Sequence, residues 1–499
     1  MRICHISDTH IGSSSHFNRG IFNTFMDDIK QDDFDILLHS GDLTQSGSPE
    51  QYEEGKQFLK ELNKPYVIIP GNHDARSGGL HLYRRYIGNP NGAKVFDDAV
   101  IIYVDSSIPD SNNGRVGQQK FQLIKRSLEK HTQKKIKIVV IHHHVMPIPM
   151  AGRERNILAN AGDLLDLFLK YDVDLVVSGH RHYPNVYHVE NTVFINAGTF
   201  SCTKTRYGDE NSYNIIEISK DKQKVITKRP KTTVTNEFPR FERRIFSDFD
   251  KHIKSIAHMS NTFISDARAF RKKHLTSALE SIKKLNPDHI IHCGGVVQEG
   301  IEKNYELALR YFGDLKQKMF FTPAGRDLNY LGYHLFPEYC GELDYIYEDE
   351  KVIMHGINSS QYDSNIGFVG SIARKQLITK FLKKKDKFKV VFLHHNITPI
   401  PHSREKGLLE DSGDLLRELV DANIDLVLTG TSSHPFAVRV SNTLIINANS
   451  TSSIYQRSIL GNSFNLVDVY EQAIVLYEIN SLWGTRKLKG IWERNKKIK

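Results

Sequence analysis

The feature that most narrows what this chain can fold into is an internal repeat. Its 499 residues restate themselves at an offset of about 250 positions. Asp35-Ile-Leu-Leu-His-Ser-Gly-Asp42 is echoed by Asp288-His-Ile-Ile-His-Cys-Gly-Gly295. The run from Lys137 to Pro149 aligns without a gap on Lys389 to Pro401. Ala161-Gly-Asp-Leu-Leu165 answers Ser412-Gly-Asp-Leu-Leu416, Asp174–Gly179 answers Asp425–Gly430, and Ile195-Asn-Ala197 answers Ile446-Asn-Ala448. Shared order over so many blocks predicts one domain type in tandem, not a solenoid of short repeats. The boundary is expected near Lys231–Phe249, a Pro- and charge-containing stretch with weak apolar periodicity.

Within each half, short β-branched runs such as Tyr66–Ile69, Val100–Val104 and Ile136–Ile141 alternate with helix-like segments such as Pro49–Leu62 and Gly117–His131. Continuous apolar runs bounded by turn residues suit strands buried on both faces, and the alternation predicts α/β architecture. In such sheets chemistry gathers at the carboxyl ends of the strands.

Five apolar runs of the first half end in unusual residues. Ile6-Ser7 leads to Asp8-Thr9-His10, and Leu37–Ser40 to Gly41-Asp42. Ile68–Pro70 leads to Gly71-Asn72-His73-Asp74, Val139–Ile141 to His142-His143-His144, and Val176–Ser178 to Gly179-His180-Arg181-His182. These are imidazoles, carboxylates and one amide with little nearby to neutralise the acids except a cation. Mixed N/O ligation suits Mn, Fe, Zn or Co rather than Ca. Two first-row ions need about seven or eight protein ligand bonds, and one carboxylate can bridge. His39 lies inside a strand and reads as a satisfied buried histidine, the more so because the repeat keeps His292 there.

Asp-x-His, Gly-Asp, Gly-Asn-His-Asp, His-His and Gly-His-x-His, in this order over residues 8–182, resemble the motifs of the calcineurin-like metallophosphoesterase superfamily. Leu43-Thr44 after Gly41-Asp42, and the His-rich run before Pro147-Ile-Pro149, look most like its class III cyclic-nucleotide phosphodiesterase branch. The resemblance implies a layered sandwich of two central mixed β-sheets flanked by helices, here duplicated in tandem. It implies two divalent ions. Asp8, His10, Asp42 and His182 would hold one, and Asp42, Asn72, His142 and His180 the other, with Asp42 bridging. His73 would face the leaving-group oxygen, with Asp74 orienting it. His143, Arg153, Arg155 and Arg206 are candidates for touching substrate. The implied organisation is a catalytic domain over 1–230, a linker over 231–250, a degenerate copy over 251–484 and a basic tail over 485–499.

The second half serves as a control. Asn261 aligns with Asp8, Phe263 with His10, Gly295 with Asp42, Gly325 with Asn72, Arg326 with His73, Thr431 with His180 and Ser433 with His182. Only His394-His395 persist, so no two-metal site is expected there. Pairs that survive in a copy without metal, such as Arg206 with Arg457 and Asn214 with Asn465, favour packing over chemistry. The dead copy is expected to act as an interface partner, forming an intrachain pseudo-dimer.

The expected activity is hydrolysis of a phosphodiester, first a nucleotide-type or cyclic one. A nuclease of the same superfamily is the alternative, and a nucleotide-binding sensor or scaffold is the reading from another class. The net charge of +9 bears on the nuclease. Lys222–Arg244 carries eight basic residues against two acidic, and Thr485–Lys499 seven against one, so basicity lives in two segments and the body is slightly acidic. Each segment reads as a solvated edge or as a grip on backbone phosphates. No apolar stretch approaches the roughly 20 residues of a membrane helix, and Met1 runs straight into a strand-like Arg2–Ile6 with no secretion pattern. Cys4, Cys202, Cys293 and Cys340 lack CxxC spacing, and two of them, in or beside apparent strands, read as small buried thiols. A reducing, cytoplasmic setting is expected.

Overall fold

Alternation of side chains along the first strand already separates two packing layers. In β1 (Arg2–Ile6), Ile3 faces one apolar cluster while Cys4 and Ile6 face another. The computed structural model describes residues 1–12, 15–150, 157–240, 251–384, 386–403 and 407–494. The chain divides into two compact units, Met1–Arg243 and Arg244–Lys499. Among the described residues, no helix is long and apolar enough to cross a membrane.

The first unit contains β1, β2 (Ile36–His39), β3 (Tyr66–Ile68), β4 (Gly92–Val95), β5 (Ala99–Val104), the short ribbon β6 (Ser107–Ile108) and β7 (Ser111–Gly114), β8 (Ile136–Ile141), β9 (Leu175–Ser178), β10 (Asn185–Val189), β11 (Thr192–Asn196), β12 (Tyr213–Ile218), β13 (Lys222–Lys228) and β14 (Thr233–Pro239). One sheet runs β14-β13-β12-β1-β2-β3, with β1, β2 and β3 parallel. The other contains β10-β11-β9-β8-β5-β4, parallel from β11 through β5. Ile3, Ile36, Leu38 and Val67 of the first sheet meet Ile138, Val140, Leu175, Val177 and Ile195 of the second in one core. The opposite face of the first sheet buries Cys4, Ile6 and Leu37 under α1 (Arg19–Gln31) and α2 (Pro49–Leu62). Asn18 caps α1 by accepting from the Ile21 amide, and Ser48 caps α2 ahead of Pro49. Burial on both faces is why these strands read as continuous apolar runs.

The stretch read as a linker holds a strand. β14 pairs antiparallel along its whole length with β13. It was illegible because it is an edge, largely exposed on both faces, so no apolar alternation marks it. Phe238 is its anchor, stacked on His188 with ring centroids 5.4 Å apart.

The second unit contains β15 (His252–Met259), β16 (His289–Cys293), β17 (Met319–Thr322), β18 (Tyr345–Glu348), β19 (Val352–Gly356), β20 (Phe388–Phe392), β21 (Leu426–Thr429), β22 (Phe436–Val440), β23 (Thr443–Asn447), β24 (Ser463–Tyr470), β25 (Ala473–Asn480) and β26 (Arg486–Glu493). Their orders, β26-β25-β24-β15-β16-β17 and β22-β23-β21-β20-β19-β18, restate those of the first unit strand for strand. The segment read as a basic tail thus contributes an edge strand, β26, paired with β25. Charged edges of this kind deter pairing with another chain. Asn214 and Asn465 play the same part in their units, since each donates its amide to a buried histidine Nδ1, His5 or His258, at 3.3 Å.

Candidate metal centre

The loops leaving β1 and β2 carry on the parallel pairing past the strand ends. Asp8 donates its amide to Gly41 O at 2.9 Å, His10 to Asp42 O at 3.0 Å and Ile11 to Leu43 O at 2.9 Å. This ladder sets Asp8 and His10 beside Asp42. The cost is conformational: Asp8, His10, Asp42, His180 and His182 have φ of 53°, 52°, 54°, 74° and 54°, the left-handed region that side chains rarely adopt. At Gly71 a Cβ would lie 2.1 Å from Asp42 Oδ1, so only glycine lets the two loops approach.

One cluster gathers Asp8, His10, Asp42 and His182. His10 Nδ1 donates to Gln45 Oε1 at 2.8 Å and His182 Nδ1 to Lys204 O at 2.6 Å. Both rings therefore turn Nε2 inward, and the two Nε2 atoms lie 3.0 Å apart. Asp8 Oδ1 is 3.3 Å from His182 Nε2, and Asp42 Oδ2 is 3.7 Å from His10 Nε2. A second cluster gathers Asp42, Asn72, His142 and His180. His142 Nδ1 donates to Ser40 O at 2.8 Å, leaving Nε2 3.1 Å from Asn72 Oδ1 and 3.4 Å from Asp42 Oδ2. His180 Nδ1 lies 2.9 Å from the same Asn72 oxygen, and its Nε2 is buried without a hydrogen-bond partner.

These atoms call for positive charge. Burial opposes ionisation of Asp42, yet His142 and His73 hold it well below the usual carboxylate range. Burial would likewise strip His142 and His182, but Asp42 beside the first and Asp8 beside the second outweigh it and lift them to about 9 and about 10. A proton there does what a cation would do: neutralise buried carboxylates lined by nitrogen lone pairs. The groupings Asp8/Asp42/His142, His10/Asp42/His73 and His10/His182/Cys202 each have ligand atoms within 4.8 Å of one another. The N/O donor set fits first-row divalent ions.

His143 is engaged elsewhere: its Nδ1 meets Ser106 Oγ at 2.8 Å and its Nε2 donates to Asn112 O at 3.2 Å. His39 is satisfied by Thr9 Oγ1 at 2.7 Å and the Gly41 amide at 3.2 Å. Arg206 is exposed on the loop after Lys204, and Arg153 and Arg155 lie outside the described residues.

Asp74 does not orient His73. Its carboxylate accepts from the amides of Leu43 (3.0 Å), Thr44 (2.8 Å) and Gly71 (2.9 Å) and from Thr44 Oγ1 (2.7 Å). The side chain is consumed in pinning the loops that carry Asp42 and Asn72. Burial and Asp42 push it up to about 6 while these donors pull it back, so it is largely ionised at neutral pH. His73 instead donates Nδ1 to Gln45 O at 2.8 Å, and its amide donates to Asp42 Oδ1 at 2.7 Å. Asp327 repeats the Asp74 pattern on Gly295, Val297 and Ala324.

Three residues escaped the sequence reading because no spacing marks them. Gln45 holds both His10 and His73. Asn112, on the β6–β7 ribbon, accepts from Asn72 Nδ2 at 3.2 Å and so turns the Asn72 oxygen toward the histidines. Cys202 stands beside His10 and His182.

At the matching positions of the second unit, hydrogen bonds and a cation–π contact replace the ligands. Asn261 donates to Gly430 O at 2.5 Å and to Ser433 Oγ at 3.0 Å. The Arg326 guanidinium lies 5.3 Å above the Phe263 ring, and Thr431 Oγ1 donates to His394 O at 2.6 Å.

A family model described as calcineurin-like phosphoesterase matches residues 1–184. The 3',5'-cyclic adenosine monophosphate phosphodiesterase CpdA of Haemophilus influenzae is 29% identical over 169 residues, which are 32% of this chain and 60% of that protein. The probable glycerophosphodiester phosphodiesterase GpdQ of Arcobacter nitrofigilis is 28% identical over 198 residues, covering 36% of this chain and 72% of its own. A solved dimetal phosphatase from Danio rerio aligns with 47% of this chain and 98% of its own at 14% identity and a TM-score of 0.38. The match to the first relative spans less than two thirds of that protein's length. The five motifs, seated at five strand ends, all fall within the residues, 1–184, that resemble the calcineurin-like phosphoesterase family.

Proposed function

We propose that the first unit hydrolyses phosphodiesters with two divalent ions, and that its substrate is nucleotide-type, a cyclic nucleotide first. The observation that carries this reading is the convergence of Asp8, His10, Asp42, Asn72, His142, His180 and His182 on two adjacent points that call for positive charge. Asp42 stands between both clusters. When bound, the ions would supply Lewis-acid charge to a phosphoryl group. The chain's own residues do the rest. Gln45 fixes the ring of His73, whose Nε2, once protonated, can donate to a departing alcohol. Asp74 and Asn112 hold the loops and the Asn72 amide in place. The names of the relatives favour a diester and include a cyclic nucleotide.

The lysines of β13 pair with Glu237, Glu217 and Asp32, and those of β26 lie on an open sheet edge, which favours a small diester over a nucleic-acid backbone. The second unit is read as a duplicate without metal chemistry that pairs with the first inside the chain. Four unpaired cysteines suit a reducing, cytoplasmic setting.

The test uses the full chain stripped of metal, with Mn²⁺, Zn²⁺ or Co²⁺ restored, on bis-p-nitrophenyl phosphate beside p-nitrophenyl phosphate and then on cyclic nucleotides. Metal-restored hydrolysis of the diesters is expected. Stoichiometric metal binding without turnover of any diester would overturn the reading in favour of a nucleotide sensor or scaffold.

A further inference from the structure

We infer that Cys202 supplies a sulfur ligand to the ion held by Asp8, His10 and His182, making one of the two positions selective for thiophilic metals. The inference rests on the two-metal reading of the first unit and adds a donor that the five motifs do not contain.

Three observations converge. Ligand atoms of His10, His182 and Cys202 lie within 4.8 Å of one another. The two imidazoles have their Nδ1 atoms occupied by Gln45 and Lys204, which leaves their Nε2 atoms, 3.0 Å apart, for a ligand. The other cysteines sit in different surroundings: Cys4, Cys293 and Cys340 are each embedded in an apolar core cluster, where burial pushes the thiol up. Cys202 is just as buried, at 1% exposure, yet belongs to none of these apolar clusters.

Its backbone is fixed independently of any ion. The Cys202 amide donates to Thr199 Oγ1 at 2.8 Å, and the residue bridges to Phe17. Ser453 holds the same place in the second unit, with its amide on Ser450 Oγ at 3.0 Å and a bridge to Phe270. The fold therefore accepts either oxygen or sulfur here, and the unit that keeps the ligands keeps sulfur. A thiolate added to two imidazoles and carboxylates gives an N/O/S set, which favours Zn, Fe or Co over Mn and Mg. The thiol proton leaves as the ion enters, so binding releases a proton.

The experiment loads the full chain with Co²⁺ and records its absorption, beside C202S. The expected result is a near-ultraviolet sulfur-to-cobalt charge-transfer band that C202S loses while the visible ligand-field bands remain. In competition, C202S should lose roughly tenfold or more of its preference for Zn²⁺ over Mn²⁺. Serine is the residue the second unit tolerates at this position, so misfolding is not the expected outcome, and circular dichroism checks it. Two bound cobalt ions without the charge-transfer band, or a band that survives in C202S, would overturn the assignment and leave the two-metal reading standing. Failure to bind cobalt at all would sink both.

Discussion

Asp74→Asn separates two accounts of the residue that follows the motif histidine. If Asp74 served His73, the amide would lower turnover and leave folding and metal binding alone. The geometry predicts the reverse order of effects. The carboxylate accepts four hydrogen bonds, two on each oxygen. An amide can keep one oxygen, and its nitrogen must then face donors. Placed toward Leu43 and Gly71, it orphans two buried backbone amides. Placed toward Thr44, it orphans one, because the hydroxyl can rotate to accept. One orphaned amide costs about 1–3 kcal/mol, and losing the charge-assisted bonds adds about 1. The expected destabilisation is about 2–4 kcal/mol, or roughly 5–15 °C for a unit of this size. Hydrogen exchange over Ile36–Asp74 in the full chain, beside calorimetric Mn²⁺ titration, reads both consequences. The paired variant Asp327→Asn should weaken the second unit by a similar amount, and both tryptophans, Trp483 and Trp492, lie there to report it by fluorescence. A D74N protein with unchanged exchange and metal affinity but lost turnover would refute this account and restore the direct role.

Asp42→Asn keeps the shape that accepts the His73 amide but removes the charge shared by both clusters, so metal-dependent diesterase activity should fall by at least about 10²-fold in a chain whose circular dichroism is unchanged. Gly41→Ala meets φ of +109° and a Cβ 2.4 Å from His142 Nδ1, so denaturant titration should show a loss of about 2 kcal/mol or more. Acid should destabilise the second unit. Burial pushes His258 and His292 down to about 3 and His355 and His394 to about 4, so the unfolded chain binds protons that the folded unit refuses. Stability is then whole above pH ~6.5 and lost as pH falls toward 4. At pH 5.5 the four groups together cost on the order of 5 kcal/mol, read by tryptophan fluorescence in urea; a flat profile from pH 7.5 to 5.5 would contradict it.

The centre was legible where chemistry leaves residues with no other use, as with carboxylates and imidazoles closing apolar strands. His142, directly after β8, turns its Nε2 toward Asp42 and Asn72, while both nitrogens of His143 are engaged elsewhere. What stayed hidden depends on contacts between segments distant in sequence. Asn112 reaches Asn72 from a ribbon forty residues on, and Cys202 meets His10 across 192 positions. Asp74 departs from the role the resemblance implies, because neighbouring side chains at a strand end point to different sides. β14 and β26 were hidden for a simpler reason: an exposed edge has no buried face to write a period into the sequence.

Left-handed backbone at five ligands has a sequel in the other unit. Asn261, Phe263 and Ser433 keep φ of 50°, 49° and 47° although no ligand chemistry is proposed there. A phenylalanine in that region is a true outlier, and each such residue costs about 1–2 kcal/mol. Gly295, the successor of Asp42, tolerates its φ of 70°, and Thr431, the successor of His180, has left the region altogether. The second unit thus carries conformational debt inherited from a geometry it no longer exploits. Evolution or an engineer could remove it with glycine at no catalytic loss, while the first unit must hold the same contorted turns for as long as it needs its side chains to meet an ion.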